Sequence, residues 1–344
     1  MSIFCIVDGM TEGPEAAVPA AMPVLSRLAK EGAGGTFVTT PAGFQADSFV
    51  CILTLLGLPK EAIPTGGRAW LEALGAGIAP AAEDLVLRVS LVSLEEGRLS
   101  RLGCPGLSSR ERRELARRFG LHPLGGYKHL WILPGAGRRA AEYHSLPPHQ
   151  WLGQRLTEVL PPEETLRQMI LESRDLLEGK AALFPWGASS QTLLPTLPVR
   201  CGAVCRTEIV AGIARGMGMA VHLPPGSTGD TDTDLAAKVE AALALAKRLP
   251  LVLLHINGAD EAAHRKDREE KEAFLGQVDR LVLEPLAQSG LPLLVTSDHA
   301  TSCRTGGHLG APQPFALWRG EQRGNLGQLA GTTALQLLPE RMDG

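Results

Sequence analysis

Short apolar runs that end in polar turns recur along this chain, and they narrow its fold more than any other feature. "SIFCIVD" (2–8), "LVLRVSLVSL" (85–94), "HLWILPG" (129–135), "LPLVLLHING" (249–258) and "LPLLVTSDH" (291–299) are nearly continuous in apolar side chains. A strand of that kind has two faces to cover, which is the condition of a parallel sheet between helices. Helical periodicity fills the intervals, in "PAAMPVLSRLAKEG" (19–32), "ADSFVCILTLLGL" (46–58), "DTDLAAKVEAALALAKRL" (232–249) and "DREEKEAFLGQVDRLVLEPLAQSG" (267–290). The expected fold is α/β with a largely parallel, doubly covered sheet, and ligands are expected where its strands end.

With 344 residues and 44% hydrophobic content the chain can bury a sizeable core, as one large domain or two ordinary ones. Between about 83 and 199 the texture changes: Pro, Gly and Arg become frequent, and Trp131, Trp151 and Trp186 appear. This stretch is expected to form a separate domain inserted into a first one made of residues 1–82 and 200–344. A formal net charge of −3, with 21% charged residues of mixed sign, argues against a nucleic-acid partner. The arginine-rich "SSRERRELARR" (108–118) reads as one helix face. The start of the chain lacks the basic flank and cleavage pattern of a leader, and no apolar run approaches the roughly 20 residues a bilayer demands. Six cysteines thinly spread, two of them inside apolar runs, fit free thiols in a reducing cytoplasm.

Chemistry-bearing residues gather at the expected strand ends. Asp8 follows the first strand, Asp260 and His264 follow "LLHING", Asp298 and His299 follow "LLVTS", and His308 stands in the next loop. Carboxylates mixed with imidazoles suit Zn²⁺ or Mn²⁺. The i,i+4 spacing of Asp260 and His264 puts both on one face if a helix starts there. Asp47 and Ser48 open an apolar helix, whose N-terminus favours a phosphate and whose serine could serve as a nucleophile. Taken singly, each has a plainer reading: a helix cap for Ser48, a surface histidine for His264. Their joint occurrence supplies two metal sites and a nucleophile.

In that order the sequence resembles the alkaline phosphatase superfamily and, within it, the archaeal-type cofactor-independent phosphoglycerate mutases. The resemblance runs through most of the chain. It rests on "VDGM" (7–10), "LLGLP" (55–59), "GGRAWLEALGAGI" (66–78), "GYKHLWILPG" (126–135), "IVAGIARGMGM" (209–219), "TGDTDTD" (228–234), "HINGADEAAH" (255–264) and "VTSDHAT" (295–301). It implies an alkaline-phosphatase-like core with a mixed, largely parallel sheet and a smaller inserted α+β lid. It also implies two divalent metal ions, Mn²⁺ or Zn²⁺, and a small phosphorylated metabolite as partner. Ser48 would be the phosphoryl-accepting nucleophile; one ion would take Asp8, Ser48, Asp298 and His299, the other Asp260, His264 and His308. The implied reaction interconverts 3-phosphoglycerate and 2-phosphoglycerate. Arg68, Arg88, Lys128 and His149 are the residues implied to meet the anionic substrate.

The chain departs from the family pattern at several positions. The nucleophile is followed by Phe49 and preceded by Asp47, where the family has Ser-Asp; Lys128 stands for Arg, Asn257 for Lys, and no Asp precedes Pro148-His149. These departures leave open a homoserine-kinase-like phosphotransferase, a phosphomonoesterase, or a metal-binding relative without catalysis. A kinase would have to hold ATP through its metals, since no G-x-x-x-x-G-K-[ST] loop exists. "GAGRRA" (135–140) lacks a convincing βαβ context for a dinucleotide. "DTDTDLAAKVEA" carries Leu235 and Ala241 where a calcium loop needs Gly and Glu, so a turn and helix cap are expected there.

Overall fold

The computed structural model describes residues 1–15 and 17–338. It divides into two compact units, Met1–Ile63 with Leu194–Gly344, and Pro64–Leu193. Residues 64–82, expected in the first domain, pack in the second unit, where the helix Arg68–Gly75 lies against the strands Leu85–Glu95 and Ala181–Ser189.

The first unit is built on an eight-stranded mixed sheet. At its centre Ser2–Val7 runs parallel to Leu251–Ile256 on one side and to Leu293–Thr296 on the other. Both flanking positions of that central strand are thus occupied, and every residue of Ser2–Val7 and Leu251–Ile256 is buried. Cys201–Val204 and Ala220–His222 extend the sheet in parallel. On the other side Gln313–Trp318 runs antiparallel to Leu293–Thr296 and to Ala33–Val38, and Gly324–Ala330 closes that edge. Ala33–Val38 and Gly324–Ala330 escape the sequence pattern because "AGGTFV" and "GNLGQLA" are glycine-rich and carry few of the branched side chains that mark a strand.

The apolar runs at 85–94 and 129–135 lie in the second unit and belong to a separate sheet. Leu85–Glu95 and Lys128–Leu133 do not join the parallel sheet; they pair antiparallel with each other, and with Arg98–Leu102, Leu121–Gly125 and Ala181–Ser189 form a five-stranded sheet of their own. Helices Ser109–Arg118 and Glu164–Leu176 accompany it. An apolar run identifies a buried strand without naming its neighbours.

One face of the large sheet carries Ile3, Cys5, Val7, Val252, Leu254, Ile256, Leu293 and Val295, packed with Leu25 and Leu28 of the helix Pro23–Glu31 and with Phe274, Leu275 and Val278. The expected helix over 267–290 is in fact interrupted: Arg268–Val278 passes into a wider turn at Asp279–Leu283 before Glu284–Gln288. At that turn Asp279 accepts hydrogen bonds from the Val24 and Leu25 amides, at 2.8 and 3.0 Å. The helix Pro23–Glu31 has no capping side chain beside it in sequence, so its free amides are satisfied from 255 residues away. No helix among the described residues is long and apolar enough to cross a membrane.

Lys238, on the helix Leu235–Ala246, is fully buried and donates to the His255 carbonyl at 3.2 Å. Burial pulls its ammonium down from 10.5 to about 8. A base whose pKa is lower folded than unfolded binds fewer protons in the folded state between those values, so Lys238 makes stability rise from about pH 8 to 10.5. Lys238→Met should therefore stabilise the fold at pH 7 by about 1–3 kcal/mol, the loss of one hydrogen bond included, and the advantage should shrink by pH 9.5. Urea unfolding at the two pH values measures this; an advantage that does not shrink would show that the ammonium is not the cause.

Candidate active site

The sheet register brings the strand ends level. Val7 is opposite Ile256 and Ile6 is opposite Thr296, so Asp8, Asn257 and Asp298 come level where the strands stop. Gly9 then turns with φ +65°, and a Cβ there would lie 2.7 Å from the Asp260 Cα and 2.9 Å from the Thr301 Oγ1. Only glycine lets the loop after Asp8 pass this close to two neighbours.

Asp260 lies in the helix Gly258–His264, and the i,i+4 relation sets His264 Nε2 3.2 Å from its Oδ2. His308 joins from the strand Gly307–Leu309, with Nε2 3.5 Å from Asp260 Oδ1 and 3.0 Å from His264 Nε2. The opposite ring nitrogens are anchored: His264 Nδ1 on the Gly306 carbonyl at 2.8 Å, His308 Nδ1 on the Ala46 carbonyl at 3.2 Å. Carbonyls only accept, so each Nδ1 carries a proton, and each Nε2 is left for a cation or for a proton shared with Asp260. Two lone pairs 3.0 Å apart beside a carboxylate repel unless a cation or proton lies between them. Burial works against charge on His264, but Asp260 pushes its imidazole up to about 9.

Asp8, Ser48, Asp298 and His299 form the adjoining group. His299 Nε2 lies 3.4 Å from Asp298 Oδ2, 3.6 Å from Asp8 Oδ1 and 3.2 Å from Ser48 Oγ. Ser48 Oγ is also 3.5 Å from Asp8 Oδ2. Ser48 is the first residue of the helix Ser48–Leu55, and the capping role belongs to Asp47, whose carboxylate accepts from the Phe49 amide at 2.8 Å. Its hydroxyl is thereby left to face the acidic cluster. Asp8 Oδ1 and Asp298 Oδ2 are buried without a hydrogen-bond partner. Burial and the neighbouring charges of Asp298 and Asp260 raise the Asp8 carboxyl well above the usual range. Asp260 is held well below it: burial opposes, but hydrogen bonds from His264 and His308 prevail. Orphaned carboxylate oxygens amid like charges fit a bound divalent cation, and two overlapping sets, Asp8–Asp260–His299 and Asp260–His264–His308, have ligand atoms within 4.8 Å of one another.

Three neighbours went unremarked in the sequence. His255 is fully buried, with Nε2 3.2 Å from Asp8 Oδ2; an isolated histidine inside a doubly covered strand was its signal, because a buried polar group calls for a partner. Thr301 and Lys271, described below, carried no such signal. The other expected residues, Arg68, Arg88, Lys128 and His149, all belong to the second unit. There Arg68 and Arg88 share Glu72, at 3.0 and 2.9 Å, and Arg88 stacks 4.2 Å above the Trp186 ring, which His149 meets edge-on. Lys128 lies 5.7 Å from the Tyr127 ring centre.

A family model described as the Metalloenzyme superfamily matches residues 2–340. A 2,3-bisphosphoglycerate-independent phosphoglycerate mutase of Methanoculleus marisnigri is 30% identical, the match covering 92% of this chain and 87% of the relative. Another bearing that name, from Methanosarcina barkeri, is 29% identical over 86% of this chain and 83% of its own. Among solved structures, a protein from Pyrococcus horikoshii aligns with a TM-score of 0.73 at 21% identity, covering 99% of this chain and 98% of that one. A cofactor-independent phosphoglycerate mutase from Thermoplasma acidophilum aligns with a TM-score of 0.56 at 18% identity, over 98% and 99%. These two show the fold.

Because Asp260 belongs to both candidate sets, Asp260→Asn should weaken metal binding at two positions, whereas His264→Ala should weaken one. Each loss should exceed the roughly 10–100-fold typical of an outer-shell change. Calorimetric titration of metal-depleted protein checks this, and equal effects of the two substitutions would contradict the shared role of Asp260.

Proposed function

This chain belongs to the Metalloenzyme superfamily and, within it, to the 2,3-bisphosphoglycerate-independent phosphoglycerate mutases, and from that premise we propose that it interconverts 3-phosphoglycerate and 2-phosphoglycerate through a phosphoserine at Ser48. The family and the ligand clusters indicate divalent metal use. The finer assignment is two ions, Mn²⁺ or Zn²⁺, one held by Asp8, Ser48, Asp298 and His299 and the other by Asp260, His264 and His308, with Asp260 also within reach of the first. When bound, such ions supply positive charge to the transferring phosphoryl group and favour the ionised serine.

The observation that carries this reading is the position of Ser48. It opens a buried helix, is relieved of capping by Asp47, and points its hydroxyl at His299 Nε2, 3.2 Å away. In the forward direction Ser48 Oγ attacks phosphorus, the bond from phosphorus to the C3 oxygen breaks, and that oxygen gains a proton. The C2 hydroxyl, losing its proton, then takes the phosphoryl group from Ser48, whose Oγ is reprotonated, so the cycle is balanced. The amides at the start of the helix Ser48–Leu55 favour the phosphate's negative charge. Arg68, Arg88, Lys128 and His149 are assigned to recognition of the substrate's anionic groups; the stacking of Arg88 on Trp186 would hold that guanidinium in a fixed plane. The proposed working compartment is a reducing cytoplasm, which suits six free cysteines.

The test is conversion of 3-phosphoglycerate in an enolase-coupled assay, with metal-depleted protein refilled with Mn²⁺ or Zn²⁺. Activity should require metal and fall at least ~10⁴-fold in Ser48→Ala. Activity surviving in Ser48→Ala would remove the nucleophile, and hydrolysis of a generic phosphomonoester without mutase turnover would replace the mutase with a phosphatase. Transfer from ATP to a small alcohol would point to the phosphotransferase.

A further inference from the structure

Between the two ligand sets lies one hydroxyl. Thr301, fully buried, donates from Oγ1 to Asp260 Oδ1 at 2.7 Å, and the same oxygen lies 3.2 Å from His299 Nδ1. A hydroxyl has a single proton. The Asp260 carboxylate can only accept, so that proton is committed to Asp260, and the remaining contact requires His299 to donate from Nδ1. His299 is then the Nδ1–H tautomer, with its Nε2 lone pair turned toward Asp8, Ser48 and Asp298.

Thr301 itself is held tightly. Its amide donates to the Thr11 carbonyl at 3.0 Å, and Lys271 Nζ, 1% exposed, donates to both the Thr11 and Thr301 carbonyls, at 3.0 and 2.8 Å. Lys271 is neutralised by Glu12 Oε1 at 2.6 Å, and Glu12 also receives the Cys303 amide at 3.0 Å. The loop that follows Asp8 and the loop that follows His299 are thereby joined through one ammonium, with the Thr301 hydroxyl as the point that touches both ligand sets.

Resting on the two-ion reading above, we infer that Thr301 is a positioning residue that couples the two metal positions: it selects the His299 tautomer for one ion and fixes the Asp260 carboxylate for the other. Removing the hydroxyl frees His299 to turn its proton to Nε2, where it opposes a cation, while Asp260 keeps its neighbours His264 and His308. The position served by His299 weakens most.

The experiment titrates metal-depleted wild type, Thr301→Val and Thr301→Ser with Co²⁺ by calorimetry and visible absorption, without substrate. Wild type and Thr301→Ser should bind two ions alike. Thr301→Val should bind one of them about 10–100-fold more weakly, with thermal unfolding of the metal-free protein nearly unchanged. In parallel, the zinc-loaded wild type, with ¹⁵N-labelled histidine, should show His299 protonated at Nδ1 and metal-bound at Nε2, a readout that needs no variant to fold. Equal affinities in Thr301→Val, failure of Thr301→Ser to rescue, or metal on His299 Nδ1 would each overturn the inference. A wild type that binds two ions but turns over no phosphoglycerate would sink the proposed function alone.

Discussion

Carboxylates buried together repel, and this protein puts Asp8, Asp260 and Asp298 at the ends of neighbouring elements with almost no exposure. In a medium of low dielectric such a cluster is costly unless protons or cations neutralise it. The structure records the conflict directly: Asp8 is driven toward its protonated form, while Asp260 is kept ionised by two imidazoles. Such an arrangement fits a bound divalent cation. The rest of the first unit can be understood as the framework that keeps those groups from relaxing apart.

That framework is made of backbone more than of side chains. Three parallel strands in register stop within one residue of each other, so the residues that follow them emerge side by side. Gly9 allows the closest approach, and the bridge between Thr11 and Ala300 continues the alignment beyond the strands. Lys271 and Thr301 then tie the loops together, and the carbonyls of Gly306 and Ala46 orient His264 and His308. Ligands placed in this way are preorganised: binding an ion does not first have to order the loops that hold it.

Much of this was legible before any coordinates. The runs around Asp8, His255 and Asp298 announced doubly covered strands, and the spacing of Asp260 and His264 announced a shared helix face, because both periodicities are local properties of backbone geometry. The turn and cap expected at "DTDTD" exist, with Asp234 accepting from the Ala237 amide. The outer strands on one side of the large sheet were not legible, since Ala33–Val38 and Gly324–Ala330 are held by neighbours rather than by their own propensities. The change of texture near residue 83 set Leu85–Glu95 apart in an expected inserted domain, but its antiparallel partners were not legible, as a strand's partners are set by chain closure over long distances.

The sequence by itself determined the kind of fold and the identity of the ligand-type residues, because alternating strands and helices leave their polar residues where strands stop. Only the tertiary structure decided what those residues do to each other. Asp279 caps a helix 255 residues away, Asp47 relieves Ser48 of capping so that its hydroxyl can face His299, and the Thr301 hydroxyl comes to stand between Asp260 and His299. Hydrogen-bond direction and electrostatic balance depend on distances between groups far apart in the chain, and those distances exist only after folding.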